Sequence, residues 1–172
     1  MPLLGYLGAV VVANPDLNVR LAPIEGEPRT IGQWLTSFDL VLVAVDPRAK
    51  TSRWILPTAE RVLTSFYEAD CRVAWLVAGD EDESREFLGS LADRLLVFAD
   101  PERSAIAAFG LERLPAIVHL GTDGAVVGAA EGWEPPQWRE LVNRLAKRMA
   151  WIPPAIPAPD DPGPFEGSPA VR

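Results

Sequence analysis

A single cysteine, Cys71, and a single histidine, His119, are all that the 172-residue chain holds of either type. With one thiol no intramolecular disulfide can form, and the Cys-x-x-Cys spacing of dithiol enzymes is absent. With one imidazole the usual His-rich zinc and haem patterns are excluded, and the sequence calls for neither a metal nor a cofactor. Long apolar stretches are missing too. The longest runs, Leu40–Val45 and Val73–Ala78, are far too short to cross a bilayer, so no membrane insertion is expected. Glycine-rich phosphate-binding motifs do not occur. Positive charge is scarce: 16 Lys and Arg against 24 Asp and Glu give a net charge of -8. That balance excludes nucleic acid and anionic membrane surfaces as default partners. Met1–Leu7 carries no basic stretch and no small-residue cleavage site, which reads as no signal peptide and a cytoplasmic protein.

What remains is an ordinary globular composition, 48% apolar and 23% charged, with enough chain for one domain and a real core. Valine-rich Gly8–Ala13 reads as a first strand, and Leu17–Arg29 as irregular chain. Thr30 is placed to cap a short helix over Thr30–Leu35. The near-continuous apolar run Asp39–Val45 fits a strand covered on both faces. Apolar spacing predicts a helix over Trp54–Tyr67, kinked or opened by Pro57. Arg72–Val77 reads as a second buried strand, Glu81–Leu91 as a helix with an acidic first turn, and Leu95–Phe98 as a short strand. Ser104–Phe109 is a helix stopped by Gly110. Pro115–Leu120 and Ala125–Ala130 form a hairpin about Gly121–Gly124. Pro136 opens a last helix over Gln137–Met149 with Trp138, Leu141, Val142, Leu145 and Met149 on one face.

From Ile152 the composition changes: seven of the last 21 residues are proline. The expected division is therefore a domain over 1–151, with an N-terminal strand extension, and a proline-rich extended or disordered tail over 152–172. Helices alternating with parallel strands, closed by a hairpin and a helix, describe a mixed α/β sandwich.

Four stretches carry a resemblance to the thioredoxin superfamily, over roughly residues 20–150. Ile24–Thr30 resembles the opening hairpin of the TlpA-like and peroxiredoxin-like branches. Asp39–Val45, with the following loop, helix and Pro57, resembles the strand and kinked helix that present the redox motif. Phe109–Val118 resembles the family's segment in which an aromatic-Gly pair precedes a cis proline, here Pro115. Gly121–Gly124 resembles the hairpin turn that follows. The resemblance implies a thioredoxin-like α/β fold: a central mixed sheet flanked by helices, with a C-terminal β-hairpin plus helix. It also implies that the two redox cysteines should fall at Ala49 and Ser52. Neither is a cysteine, and disulfide exchange needs a thiolate.

Cys71 does not fill the gap, because it opens an inner strand rather than a helix; a small buried hydrophobe and a peroxidatic thiol are its two readings. The backbone at Leu114-Pro115, if cis as in the family, is placed to pair with a bound peptide by strand addition; the alternative is a relic that shapes the turn. Arg48, Lys50 and Arg53 gather three cations beside Ala49 and Ser52, either as a solvated loop or as a contact for an acidic segment. Trp133, in a turn before the last helix, is a seal on the core or an anchor for a partner. His119 reads as structural, with nothing to make it a triad or metal site. The candidate partner-binding residues are thus Ala49, Lys50, Ser52, Arg53, Leu114, Pro115 and Trp133, with no catalytic and no metal-binding residue.

These observations point to a redox-inactive thioredoxin-like interaction protein, a chaperone or accessory subunit that uses the Pro115 face and the tail. The alternative is a single-cysteine thiol peroxidase working through Cys71. Val45–Arg48, the helix proline, Phe109-Gly110 and Leu114-Pro115 are similar to the hydrogenase-maturation chaperones of the HyaE/HupG type, which also lack the cysteine pair. That similarity implies a hydrogenase subunit precursor, or another enzyme-complex subunit, as the protein partner.

Overall fold

The computed structural model describes residues 6–7, 10–11 and 13–171, the first two pairs by backbone alone. In chain order its elements are β1 (Tyr6–Leu7), β2 (Val10–Val11), β3 (Arg20–Pro23), β4 (Arg29–Thr30), α1 (Ile31–Trp34), β5 (Asp39–Val45), α2 (Lys50–Trp54), α3 (Leu56–Ser65), β6 (Cys71–Val77), α4 (Glu81–Leu88), β7 (Leu96–Ala99), α5 (Ser104–Ala108), β8 (Arg113–Leu114), β9 (Ala116–Leu120), β10 (Val126–Glu131), α6 (Pro135–Met149) and β11 (Ser168–Pro169). The strand expected over Gly8–Ala13 is represented by β2; residues 8, 9 and 12, like Met1–Gly5, lie outside the described residues.

Seven strands form one sheet in the order β10-β9-β5-β6-β7-β3-β4. β5, β6 and β7 run parallel, and β9, β10, β3 and β4 are antiparallel to their neighbours. The apolar run of β5 sits near the middle because both of its faces are covered. Val41, Val43 and Val45 point into a core with α3, α4 and α6, while Leu40, Leu42 and Ala44 point into a second core with α1 and α5. The period of two along a strand sends alternate residues to opposite faces. β6 divides the same way: Cys71, Val73, Trp75 and Val77 join the first core, Ala74 and Leu76 the second.

Local chemistry sets the ends of the elements. The Thr30 side chain accepts from the Gln33 N–H and the Gln33 side chain reaches back, a closed capping box on α1. Asp80 and Glu83 repeat the device on α4. Pro57 sits in the first turn of α3, where its missing N–H costs nothing.

Three expectations are corrected. Leu17–Arg29 is not irregular throughout: it contains β3, paired antiparallel to β7, a strand too short to show alternation before Pro23 ends it. The helix over Trp54–Tyr67 is two helices, because α2 already spans Lys50–Trp54 before Ile55 breaks the axis. The helix over Glu81–Leu91 ends at Leu88, since Gly89 takes a left-handed φ of 57° and a 3-10 turn follows. Among the described residues no helix is long and apolar enough to cross a membrane.

Beyond α6, residues 152–171 lie along the domain. Arg61 donates to the Ala155 carbonyl and to Asp161, Arg139 donates to the Ile156 carbonyl, and Ile156 is buried in the first core.

Candidate functional site

The strand β5 delivers the chain to Asp46, and the geometry beyond it is built on that carboxylate. Asp46 is buried. Its N–H donates to Ser52 Oγ at 2.9 Å, its Oδ1 accepts the Arg48 N–H at 2.9 Å, and its Oδ2 accepts from Arg103 at 2.7 Å. These bonds fold Asp46–Ala49 into a turn and bring α2 back over the end of β5. Ser52 therefore faces inward, with no surface of its own to offer a partner. Ala49, at the N-cap of α2, makes no side-chain cap and is half-buried.

The three cations expected at this mouth are disposed differently. Arg48 is paired with Glu83 at 2.7 Å. Arg53 lies over the Phe87 ring, 5.0 Å from its centroid. Lys50 is exposed. Trp54, 55% exposed, meets Phe165 edge to face at 5.8 Å.

Leu114 and Pro115 are joined by a cis peptide bond. Both are buried. Glu131 Oε1 accepts the N–H groups of Arg113 and Glu112 at 3.0 and 3.3 Å. Burial holds the Glu131 carboxyl above the ordinary carboxylate range despite these donors. The outer edge of β8 is not bare. β11 pairs with it antiparallel, Ser168 opposite Leu114 and Pro169 opposite Arg113. The Ala170 N–H donates to the Glu112 carbonyl at 2.9 Å, and Arg103 donates to the Ala170 carbonyl at 2.5 Å.

Trp133 is fully buried. Its backbone exchanges two hydrogen bonds with Phe165 at 2.8 and 3.0 Å, and its indole N–H donates to the Pro162 carbonyl at 2.7 Å. It packs on Trp138 at 5.2 Å. The structure thus brings Leu114, Pro115 and Trp133 together under one extended stretch, residues 162–170. Ala49, Lys50 and Arg53 lie on the neighbouring turn and helix.

Arg103, Asp46 and Glu131 escape sequence reasoning, because nothing local marks them. Arg103 takes a left-handed φ of 59° without being glycine, a backbone cost that its bonds to Asp46 and the Ala170 carbonyl offset.

At the other end of β5, Asp39, His119 and Arg148 form a second polar cluster. Asp39 Oδ2 lies 2.7 Å from His119 Nε2 and 2.6 Å from Arg148 Nε. His119 thus has a carboxylate partner that the sequence did not suggest, and among the described residues its Nδ1 has no hydrogen-bond partner. Cys71 stands opposite Asp39 in the β5–β6 register. It is 7% exposed, and burial, followed by the charges of Asp39 and Asp70, pushes its thiol up to about 11. Among the described residues no group of His, Cys, Asp and Glu could hold a metal ion.

No family model matches the sequence, and no curated protein matches it. Solved structures do. DsbF of MTB is 18% identical with a TM-score of 0.60, over 78% of this chain and 94% of its own. A secreted Mycobacterium tuberculosis disulfide oxidoreductase homologous to E. coli DsbE is 15% identical with a TM-score of 0.56, over 78% of this chain and 96% of its own. Peroxiredoxin Q of Xanthomonas campestris is 14% identical with a TM-score of 0.61, over 78% of this chain and 92% of its own. Similarity at this level is a similarity of fold and does not extend to activity: the chain has a thioredoxin-like fold, a central mixed sheet flanked by helices.

Proposed function

We propose that this chain is a redox-inactive thioredoxin-like interaction protein, a chaperone or accessory subunit that holds a protein partner. The observation that carries the reading is the state of the places where thiol chemistry would occur. Positions 49 and 52 hold alanine and serine, and the serine hydroxyl is already bonded to the Asp46 N–H. The one thiol is buried at a strand start, where the protonated form is favoured and access is closed. What supports binding is the β8 edge, which takes an extended segment by backbone pairing. A hydrogenase subunit precursor is the partner offered by the similarity to the HyaE/HupG-type chaperones, and the cytoplasm is the compartment that goes with it.

The test is purification of the intact protein from its own host under mild conditions, with mass spectrometry of what accompanies it. A stoichiometric protein retained by the wild type supports the reading; its absence at every salt concentration tried counts against it. The second reading, a single-cysteine peroxidase, draws on the peroxiredoxin Q neighbour. Peroxide consumption that disappears in Cys71→Ser would establish that reading and remove the first.

A further inference from the structure

We infer that residues 165–170 are a tethered internal ligand, and that they spell out the partner segment this chain takes: aromatic, any residue, Gly, small, any residue, Ala. The inference rests on the reading above, that the chain acts by holding a partner.

Each position of the segment meets a different demand. Phe165 packs against the Trp54 ring and the first core. Glu166 and Pro169 face outward. Gly167 has a φ of 91°, and a Cβ there would stand 2.5 Å from the Leu114 carbonyl oxygen, so no other residue fits without moving the backbone. Gly132 answers it from below, where a Cβ would run into the Glu166 carbonyl. Ser168 is half-buried against Leu114. Ala170 is 0% exposed in the second core, where a small apolar side chain packs and a charge would be buried. Between these side chains the segment is held by main-chain bonds to Glu112 and Trp133, and by the Arg103 guanidinium on the Ala170 carbonyl. Main-chain pairing with pockets for alternate side chains is how an added strand gains affinity and selectivity together.

The segment is joined to α6 by residues 150–164, largely exposed over 151–155 and anchored beyond them by Ile156 in the first core and by Asp161 on Thr58 and Arg61. Its strand β11 pairs with β8 in a two-stranded sheet apart from the seven-stranded one, so it is an occupant of the site rather than a strand of the central sheet, and a partner presenting the same pattern displaces it. A short tether holds its occupant at about millimolar effective concentration. A free peptide must overcome that, so it binds the intact chain about 100-fold more weakly than a chain whose own segment has been expelled.

The experiment uses the full chain and a fluorescein-labelled peptide of residues 163–171, read by fluorescence anisotropy. Gly167→Val expels the segment by collision with Leu114, and Ala170→Asp by burying a charge; either leaves the groove itself unaltered. Expected is peptide binding to both variants at least 10-fold tighter than to wild type, with no binding of a peptide carrying valine at the Gly167 position. Equal binding to wild type and variants, no binding to folded variants, or equal binding of the valine peptide overturns the proposal. So does loss of the folded circular-dichroism spectrum in both variants, since a displaceable ligand requires a fold that stands without it. A stoichiometric partner from the host alongside a failed peptide assay would leave the interaction role intact and remove this site from it.

Discussion

Asp161 accepts the Thr58 hydroxyl proton at 2.7 Å across 103 residues of sequence, tying the proline-rich segment to the first turns of α3. The same carboxylate accepts from Arg61 at 2.7 Å and from the Ala158 N–H at 2.6 Å, and it is nearly buried. Asp161→Ala removes all three bonds and leaves the Thr58 hydroxyl without its partner. Arg61 is about a third exposed, so water compensates part of the loss. The expected cost is about 2 kcal/mol in urea denaturation. Limited proteolysis should cut within residues 152–171 faster than in wild type, while the rest of the domain resists. Thr58→Val, which keeps the Arg61 pair, should cost about half as much. Unchanged proteolysis would mean that Ile156 and Phe165 hold the segment without Asp161.

The Cys71 thiol should be inert in the native protein. Its pKa is pushed from 9.0 to about 11, which lowers the thiolate fraction near neutral pH about 100-fold, and burial slows access further. Native Cys71 is expected to react with a thiol-specific disulfide reagent more than 100-fold slower than in 6 M guanidinium at the same pH. A native rate equal to that of a free cysteine would restore the peroxidase reading.

Positions 49 and 52 offer a gain-of-function test of the scaffold. Ala49→Cys with Ser52→Cys puts two thiols at the dithiol spacing on the turn and helix after β5. Oxidised glutathione should remove two protein thiols from the double variant, releasing two glutathiones and leaving none attached, whereas either single variant can form only a mixed disulfide that keeps one glutathione by mass; dithiothreitol reverses both. The Ser52 change also weakens the acceptor for the Asp46 N–H, at about 1 kcal/mol. If all thiols of the double variant stay free, α2 does not present these two positions to each other.

The strands of the sheet were legible because burial writes itself into composition. Asp39–Val45 and Arg72–Val77 read as buried strands, and six apolar residues in a row leave a central strand few alternatives. Pro115 was legible because it restricts the backbone, and Gly110 because it admits the positive φ that ends α5. The helix α2 was not: Lys50–Trp54 has no apolar stripe, and Ala49 offers no cap. The site was legible only in part for a different reason. Leu114 and Trp133 could be picked out singly, but what covers them is a segment whose contacts fall at Ile156, Asp161, Phe165 and Ala170, with no period to read. Hydrogen bonds between residues 67 or 103 positions apart leave no local trace, and neither Arg103 with Ala170 nor Asp161 with Thr58 could be paired from sequence.

The cluster at the far end of β5 sets a pH dependence whose sign follows from burial. His119 is 1% exposed. Burial lowers its pKa from 6.5 against the pull of Asp39, and Arg148 and Arg144 lower it further, so the folded ring is neutral. The Nε2–H then donates to Asp39, and Nδ1 has no partner among the described residues. Below about pH 6.5 the unfolded chain binds a proton on this histidine that the folded chain refuses, so stability falls as pH drops from 7 to 5. Asp39 acts lower on the scale. Burial raises its pKa, but the hydrogen bonds from His119 and Arg148 and the charge of Arg148 outweigh that and bring it below 3.8. Its contribution is full above that value and is lost as pH falls through it. A single group can contribute a slope of at most about 1.4 kcal/mol per pH unit. Urea midpoints of wild type should therefore decline between pH 7 and pH 5, and His119→Gln should decline less over that window, with the two curves converging in slope below pH 4. Parallel curves throughout would show that the folded chain accepts the proton on His119, with Asp39 offsetting its burial.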